Sequence, residues 1–257
     1  MRLSAIRSLL AGLLLLLFTT PVWAANAFVQ SAQTTTGNVA LGTVAVAFVS
    51  NVTAGNLIAV GITWYNDPIT LSSVTDTLGN TYTVVQTVNI ALAQRYATAY
   101  AKNILGGANT VTATFSLATA IFRGIIVHEV SGADTTAPLD KNAGQVQTAP
   151  GTGANAVTSG AVVSTTDGQY LFGFTAEGAG VSTTITQGTG YTLRQRTQSS
   201  TTTEEQASED QIQATAASIA ATFTIGTDTE MGTLILTFKA AGAAAATPQR
   251  TLIGVGQ

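Results

Sequence analysis

The chain has 257 residues, with 10 Lys and Arg against 13 Asp and Glu, a formal net charge of −3, and no cysteine. No basic cluster or stripe is present to attract a phosphate backbone, which argues against a nucleic-acid partner. The absence of cysteine excludes disulfides, thiolate metal sites and thiol catalysis together, so stability must come from packing and sheet hydrogen bonds.

The chain opens MRLSAIRSLLAGLLLLLFTTPVWAANA. Arg2 and Arg7 form a positive segment, an apolar run follows from Leu9 to Phe18, and Pro21 precedes the small-residue site Val22-Trp23-Ala24. This is the layout of a secretory signal peptide over residues 1–24, so the mature chain is expected to be secreted or held at the cell surface. The apolar run is shorter than the roughly 20 residues that span a bilayer, and no later segment is long and uniform enough to span. A chain without cysteine suits export across a bacterial envelope and folding without an oxidase. In that setting the glycosylation-like triplet Asn51-Val52-Thr53 reads as chance.

Alternation of β-branched with small or polar residues predicts strands at 39–49, 56–64, 81–88, 95–103, 109–116 and 122–132. A loop rich in Gly, Ala and Pro over 134–155 bridges to further strands at 155–164, 169–177, 190–198, 217–225 and 231–240. Gly79-Asn80, Gly106-Gly107 and Asp167-Gly168 supply turns between them. Residues 204–221 carry a weak helical signal, against which a strand after an acidic loop is preferred.

The halves echo one another. AGNLIAVGIT, NTYTVVQT, RYATAYAKN and NTVTATFS in the first are answered by DGQYLFGFT, TGYTLRQRT, EEQASEDQI and ASIAATFTI in the second. The expected fold is all-β: an antiparallel, jelly-roll-like β-sandwich over 25–240, built from two related Greek-key halves at about 28–133 and 155–240. Two tandem domains are the competing organisation. Residues 241–257, with an Ala run and Pro248, read as a flexible tail.

The one histidine lies in RGIIVHEVSGAD. On a strand, Ile125, Val127 and Glu129 share one face while Ile126, His128 and Val130 share the other, so His128 and Glu129 stand back to back. A zinc site needs three or four His, Cys or carboxylate ligands, and one histidine does not supply it. A Ser-His-Asp triad is formally open, but no G-x-S-x-G elbow accompanies it. No catalytic residue, metal ligand or cofactor site is assigned.

Paired carboxylates can hydrolyse glycosides without histidine. Asp67, Asp76, Asp134, Asp140, Glu204, Glu205, Glu209 and Asp210 read mostly as solvated loop charges. Glu129 and Glu177 lie in or at the end of apolar strands and are the better pair if they meet in one groove. Asp76 with Asn80 offers oxygen ligands for calcium, but an Asp and Asn capping their own turn is preferred. Tyr96 and Tyr100 share a strand face and read as core and rim packing. The residues chosen for ligand binding are Trp64 and Tyr65, adjacent aromatics at a strand end beside Asn66-Asp67-Pro68.

AGNLIAVGITW, SSVTDTLGNTYT, YAKNILGGANTVTATFS and IIVHEVSGAD resemble a group of exported or phage-associated bacterial β-sandwich proteins with no assigned activity. The resemblance runs over roughly 28–240 and is clearer in the first half. It implies a β-sandwich and a surface or extracellular setting, and no catalytic residue can be carried over. The expected function is therefore a non-catalytic binding or structural module, with a glycan or an envelope protein as partner. The alternatives are an extracellular polysaccharide hydrolase using paired carboxylates, and a subunit of a surface filament or layer. Oligomeric state does not follow from the sequence.

Overall fold

The structure, a computed structural model, describes residues 25–66, 68–89, 94–151, 155–177, 184–197, 205–226 and 228–242. The expected leader, Asp67, Glu204 and the tail from residue 243 onward lie outside the described residues. The first half holds β1 (Ala27–Thr35), β2 (Thr43–Ala47), β3 (Leu57–Tyr65), β4 (Leu71–Asp76), β5 (Tyr82–Asn89), β6 (Gln94–Ala101), β7 (Thr110–Phe115) and β8 (Ile121–Ser131). The second holds β9 (Leu139–Gly151), β10 (Asn155–Thr158), β11 (Val162–Val163), β12 (Gln169–Glu177), β13 (Ile185–Gln187), β14 (Thr192–Arg196), β15 (Gln206–Gln213), β16 (Ser218–Ile219), β17 (Thr222–Ile225) and β18 (Asp228–Phe238). No helix among the described residues is long and apolar enough to cross a membrane.

The two halves have one topology. A five-stranded sheet ordered β1-β8-β3-β6-β5 and a three-stranded sheet ordered β2-β7-β4 make the first. The second repeats them as β9-β18-β12-β15-β14 and β10-β17-β13, with β11 and β16 as an added two-stranded pair. In the first half the first strand pairs with the eighth, the second with the seventh and the third with the sixth. This pairing is nested. The fifth strand departs from it by joining the sixth.

The repeat extends to single residues. Thr83 lies opposite Tyr100 and Thr192 lies opposite Asp210, so Thr83 and Thr192 are equivalent. Both edge strands then shift register at the same place, between Val84 and Gln86 and between Leu193 and Gln195. The echo in the sequence is therefore a duplicated eight-strand unit. The expected bridge over 134–155 is corrected by β9, which occupies most of it and pairs with β18 along its length. β9 has few large apolar residues because it is a sheet edge, held by main-chain bonds to its neighbour. β1, β4 and β13 carry similarly weak patterns, and the alternation in the sequence does not mark them as strands.

Three cores follow. Ile58, Val60, Trp64, Val111, Phe115 and Val127 lie among the residues filling the space between the two sheets of the first half. Phe223, Ile225, Met231 and Ile235 do the same in the second. The third core lies between the two five-stranded sheets and welds the halves into one body; it includes Leu57, Tyr96, Ile126, Phe172, Phe174 and Leu236. At this junction, ring meets glycine. A Cβ on Gly61 would lie 2.9 Å from Phe174 Cε2 and closer still to Cγ and Cδ2, and one on Gly232 would fall 2.7 Å from Tyr96 Cγ. Glycine inside a strand costs β propensity and is used where another group must approach closely.

Candidate functional site

His128 faces the junction and Glu129 faces the core of the first half, as strand alternation requires: Ile126 and Val130 belong to the shared core, Ile125 and Val127 to the first-half core. His128 is completely buried. Its Nδ1 lies 2.8 Å from the Tyr170 hydroxyl and its Nε2 2.8 Å from Ser208 Oγ, both on the second half. The ring stands edge-on to Phe172 at 4.7 Å and to Phe28 at 5.5 Å. Tyr170 is also hydrogen-bonded to the Asp210 carboxylate. A carboxylate is the stronger acceptor, so Tyr170 donates to Asp210, His128 Nδ1–H donates to Tyr170, and Ser208 donates to Nε2. Burial, aided by the positive charge of Arg194, holds the imidazole down to about 3.

The order Ser208, His128, Tyr170, Asp210 has the polarity of a nucleophile–base relay with a tyrosine inserted before the acid. Ser208 is itself fully buried, and a reacting carbonyl must reach within about 3 Å of a nucleophile. The chain of bonds therefore works as a clasp between the halves.

The clasp ends at an open cleft of about 420 Å³ on the seam, between β1 and the β14–β15 edge. Arg194 forms its floor with Asp210: Nε donates to Oδ1 at 2.6 Å and Nη2 to Oδ2 at 3.1 Å. The guanidinium carbon lies 3.8 Å from the centroid of the Phe28 ring. Arg194 sits at the register shift between Leu193 and Gln195, and a bulge re-aims the side chain it carries. Asn26, Thr192, Gln211 and Ile212 lie in its walls. The equivalent places in the first half hold Val85 and Tyr100, so the ion pair exists in one copy only. Compared with known protein families, curated proteins and solved structures, the chain matches none.

The aromatic pair chosen from the sequence does not form a binding rim. Trp64 is fully buried, its Nε1 donates to the Ile69 carbonyl at 2.9 Å, and its ring lies 5.3 Å from Phe115. The turn after Tyr65 folds back over the indole and satisfies its N–H, which is what a buried tryptophan requires. Tyr65, on the other strand face, remains half-buried against Phe122 at 6.4 Å. Tyr96 is buried in the junction, while Tyr100 packs edge-on against Phe238 at 5.6 Å.

Glu129, Asp140 and Asp76 are clamps. Glu129 accepts from Thr53 N at 2.7 Å, Asn56 Nδ2 at 2.6 Å and Gln30 Nε2 at 2.7 Å, tying the turn before β3 to β1 and β8. Asp140 does the same for the turn before β12, accepting from Thr165 N at 2.7 Å, Thr165 Oγ1 at 2.6 Å and Gln169 Nε2 at 2.6 Å. Glu177 follows Gly173 and Thr175 on the strand face turned to the second half's own core, so it and Glu129 point into different sandwiches. Asp76 accepts from Leu78 N, Asn80 N, Asn80 Nδ2, Asn109 Nδ2 and the Tyr82 hydroxyl. Burial opposes its ionisation, but the bonds from Asn109, Asn80 and Tyr82 outweigh that and hold it below the usual carboxylate range.

A clamp and an acid catalyst respond differently to mutation. Hydrogen bonds to a charged group contribute about 1.5–3 kcal/mol each, and stranding buried donors adds to their loss. Glu129→Ala is expected to cost at least about 3 kcal/mol in urea denaturation. Loss of turnover on a polysaccharide with stability unchanged would contradict the clamp.

The reading of Glu205, Glu209 and Asp210 as solvated loop charges is corrected, since all three are buried and the last two lie on β15; Arg194, Tyr170 and Ser208 are not singled out by the sequence. One signal was present: on a strand over 206–213, Ser208 and Asp210 share a face opposite Ala207 and Glu209.

Proposed function

We propose that this chain is an exported protein that works by contact, as a non-catalytic binding or structural module with a glycan or an envelope protein as partner. The observation that carries this reading is the use to which its reactive side chains are put. Glu129, Asp140 and Asp76 hold turns, and His128 clasps the halves, while the seam keeps an open polar cleft. The leader-like start and the resemblance over 28–240 support export and a surface setting.

The test is a binding screen of the purified mature chain against immobilised glycans, cell-wall material and envelope-protein fractions. Saturable retention by one of these is the expected result. Release of reducing ends from a polysaccharide during the same incubation would replace the contact reading with the hydrolase one.

A further inference from the structure

We infer that the seam cleft is a saccharide site, taking a neutral, polyhydroxylated ligand; this rests on the contact reading above and gives it a location. Charge decides the first part. Arg194 and Asp210 neutralise one another through two bonds of 2.6 and 3.1 Å, and Asn26, Thr192 and Gln211 beside them are uncharged. An anionic ligand at Arg194 would lie beside the Asp210 carboxylate, which is 4% exposed, and would compete with it for the guanidinium. A cationic ligand would have to displace the guanidinium from the same carboxylate. Competition of either kind weakens a pair whose carboxylate is buried, with the guanidinium 29% exposed, which is unfavourable.

Hydrogen-bonding capacity decides the second part. A guanidinium carries five N–H groups, and two of those on Arg194 are spent on Asp210. Asn26 donates both amide hydrogens, to the carbonyls of Gly168 and Phe238 at 2.9 Å each, so only its oxygen remains. Two buried acceptors without a donor, Asn26 Oδ1 and Gln211 Oε1, thus belong to residues that line the cleft beside an arginine with N–H groups beyond the two given to Asp210. A hydroxyl group is the common ligand group that both donates and accepts. Ile212, 42% exposed, adds apolar surface for the C–H face of a sugar ring. The volume of about 420 Å³ lies within the range of small-molecule sites.

The duplication provides an internal control. Thr192 is exposed and lines this cleft, and its equivalent Thr83 is exposed and lines the corresponding surface of the first half, where Tyr100 replaces Asp210. Amide chemical shifts of the mature protein are to be followed on titration with glucose, galactose and N-acetylglucosamine, with inorganic phosphate and spermidine as charged probes. At least one sugar is expected to shift Ala27, Thr192 and Gln211 saturably. Thr192→Phe should weaken that sugar about tenfold or more with the melting temperature held, and Thr83→Phe should leave its affinity unchanged. Sugar binding that is equal in Thr192→Phe overturns the site and leaves the contact reading standing. Shifts from phosphate or spermidine alone overturn the ligand class. A native protein that binds none of the sugars yet is retained by an envelope-protein fraction overturns the saccharide site alone; retention by nothing overturns both.

Discussion

Gly61→Ala should be among the most damaging single-methyl additions in this protein. The Phe174 ring lies where the new Cβ would go, with Cε2 at 2.9 Å and two further ring carbons nearer. Gly61 is on β3 and Phe174 on β12, the central strands of the two five-stranded sheets. Neither can retreat, because each is hydrogen-bonded to a neighbour on both sides. Overpacking a core typically costs 1–3 kcal/mol, and a contact this short on two rigid strands places the loss at about 3 kcal/mol. The structure also specifies the cure. Phe174→Leu alone opens a void and is destabilising, but in the double variant the new methyl occupies part of it. The two changes should therefore couple favourably by about 1–3 kcal/mol in a denaturation cycle. Strict additivity would mean that the ring does not pack on Gly61.

The same contacts show what could be read from the chain and what could not. Strand alternation placed His128 and Glu129 on opposite faces, and the paired phrases around Gly55 and Gly168 aligned two strands that are topological equivalents. These are local properties, set by a period of two and by turn chemistry. The docking of the halves is not local. Phe174 meets Gly61, which holds the equivalent place in the other half, and Tyr96 meets Gly232, and no local pattern tells that these rings and glycines touch. Trp64 was misplaced for a similar reason: beside Asn66-Asp67-Pro68 it looks like a rim residue, and only the turn folding back to Ile69 encloses it. Arg194 and Asp210 lie sixteen residues apart in the chain, and a bulge sets the direction of the arginine. The all-β class and the duplication were therefore legible, while the cleft depends on how two sheets stack.

Two buried groups give this protein a stability profile that falls away on both sides of mildly acidic pH. His128 is held down to about 3 by burial and by Arg194, against an ordinary value of 6.5. Between these values the unfolded chain binds a proton that the folded one does not, so stability drops as pH falls through that window. Glu209 behaves oppositely. Burial, together with the charge of Asp210, pushes it up to about 8 from 4.5, despite the bonds it accepts from Gly188 N and Thr222 N. Between 4.5 and 8 the folded chain binds the extra proton, so stability drops as pH rises. Each limb has a slope of up to about 1.4 kcal/mol per pH unit. From about 4.5 to 6.5 the slopes cancel, which predicts a plateau, with a decline above 6.5 owed to Glu209 and one below 4.5 owed to His128. Asp76, Asp134 and Asp140 are held below the usual range and add to the acid limb only under about 3.8. Single variants should expose the hidden slopes. In urea denaturation from pH 4 to 8, Glu209→Gln removes the alkaline decline and makes stability rise with pH up to about 6.5. His128→Leu loses the bonds to Tyr170 and Ser208 and is weaker throughout, yet it should grow more stable as pH falls from 8 towards 4.5, the slope that Glu209 leaves behind. A plateau that persists in either variant would show that the histidine and the glutamate do not set it.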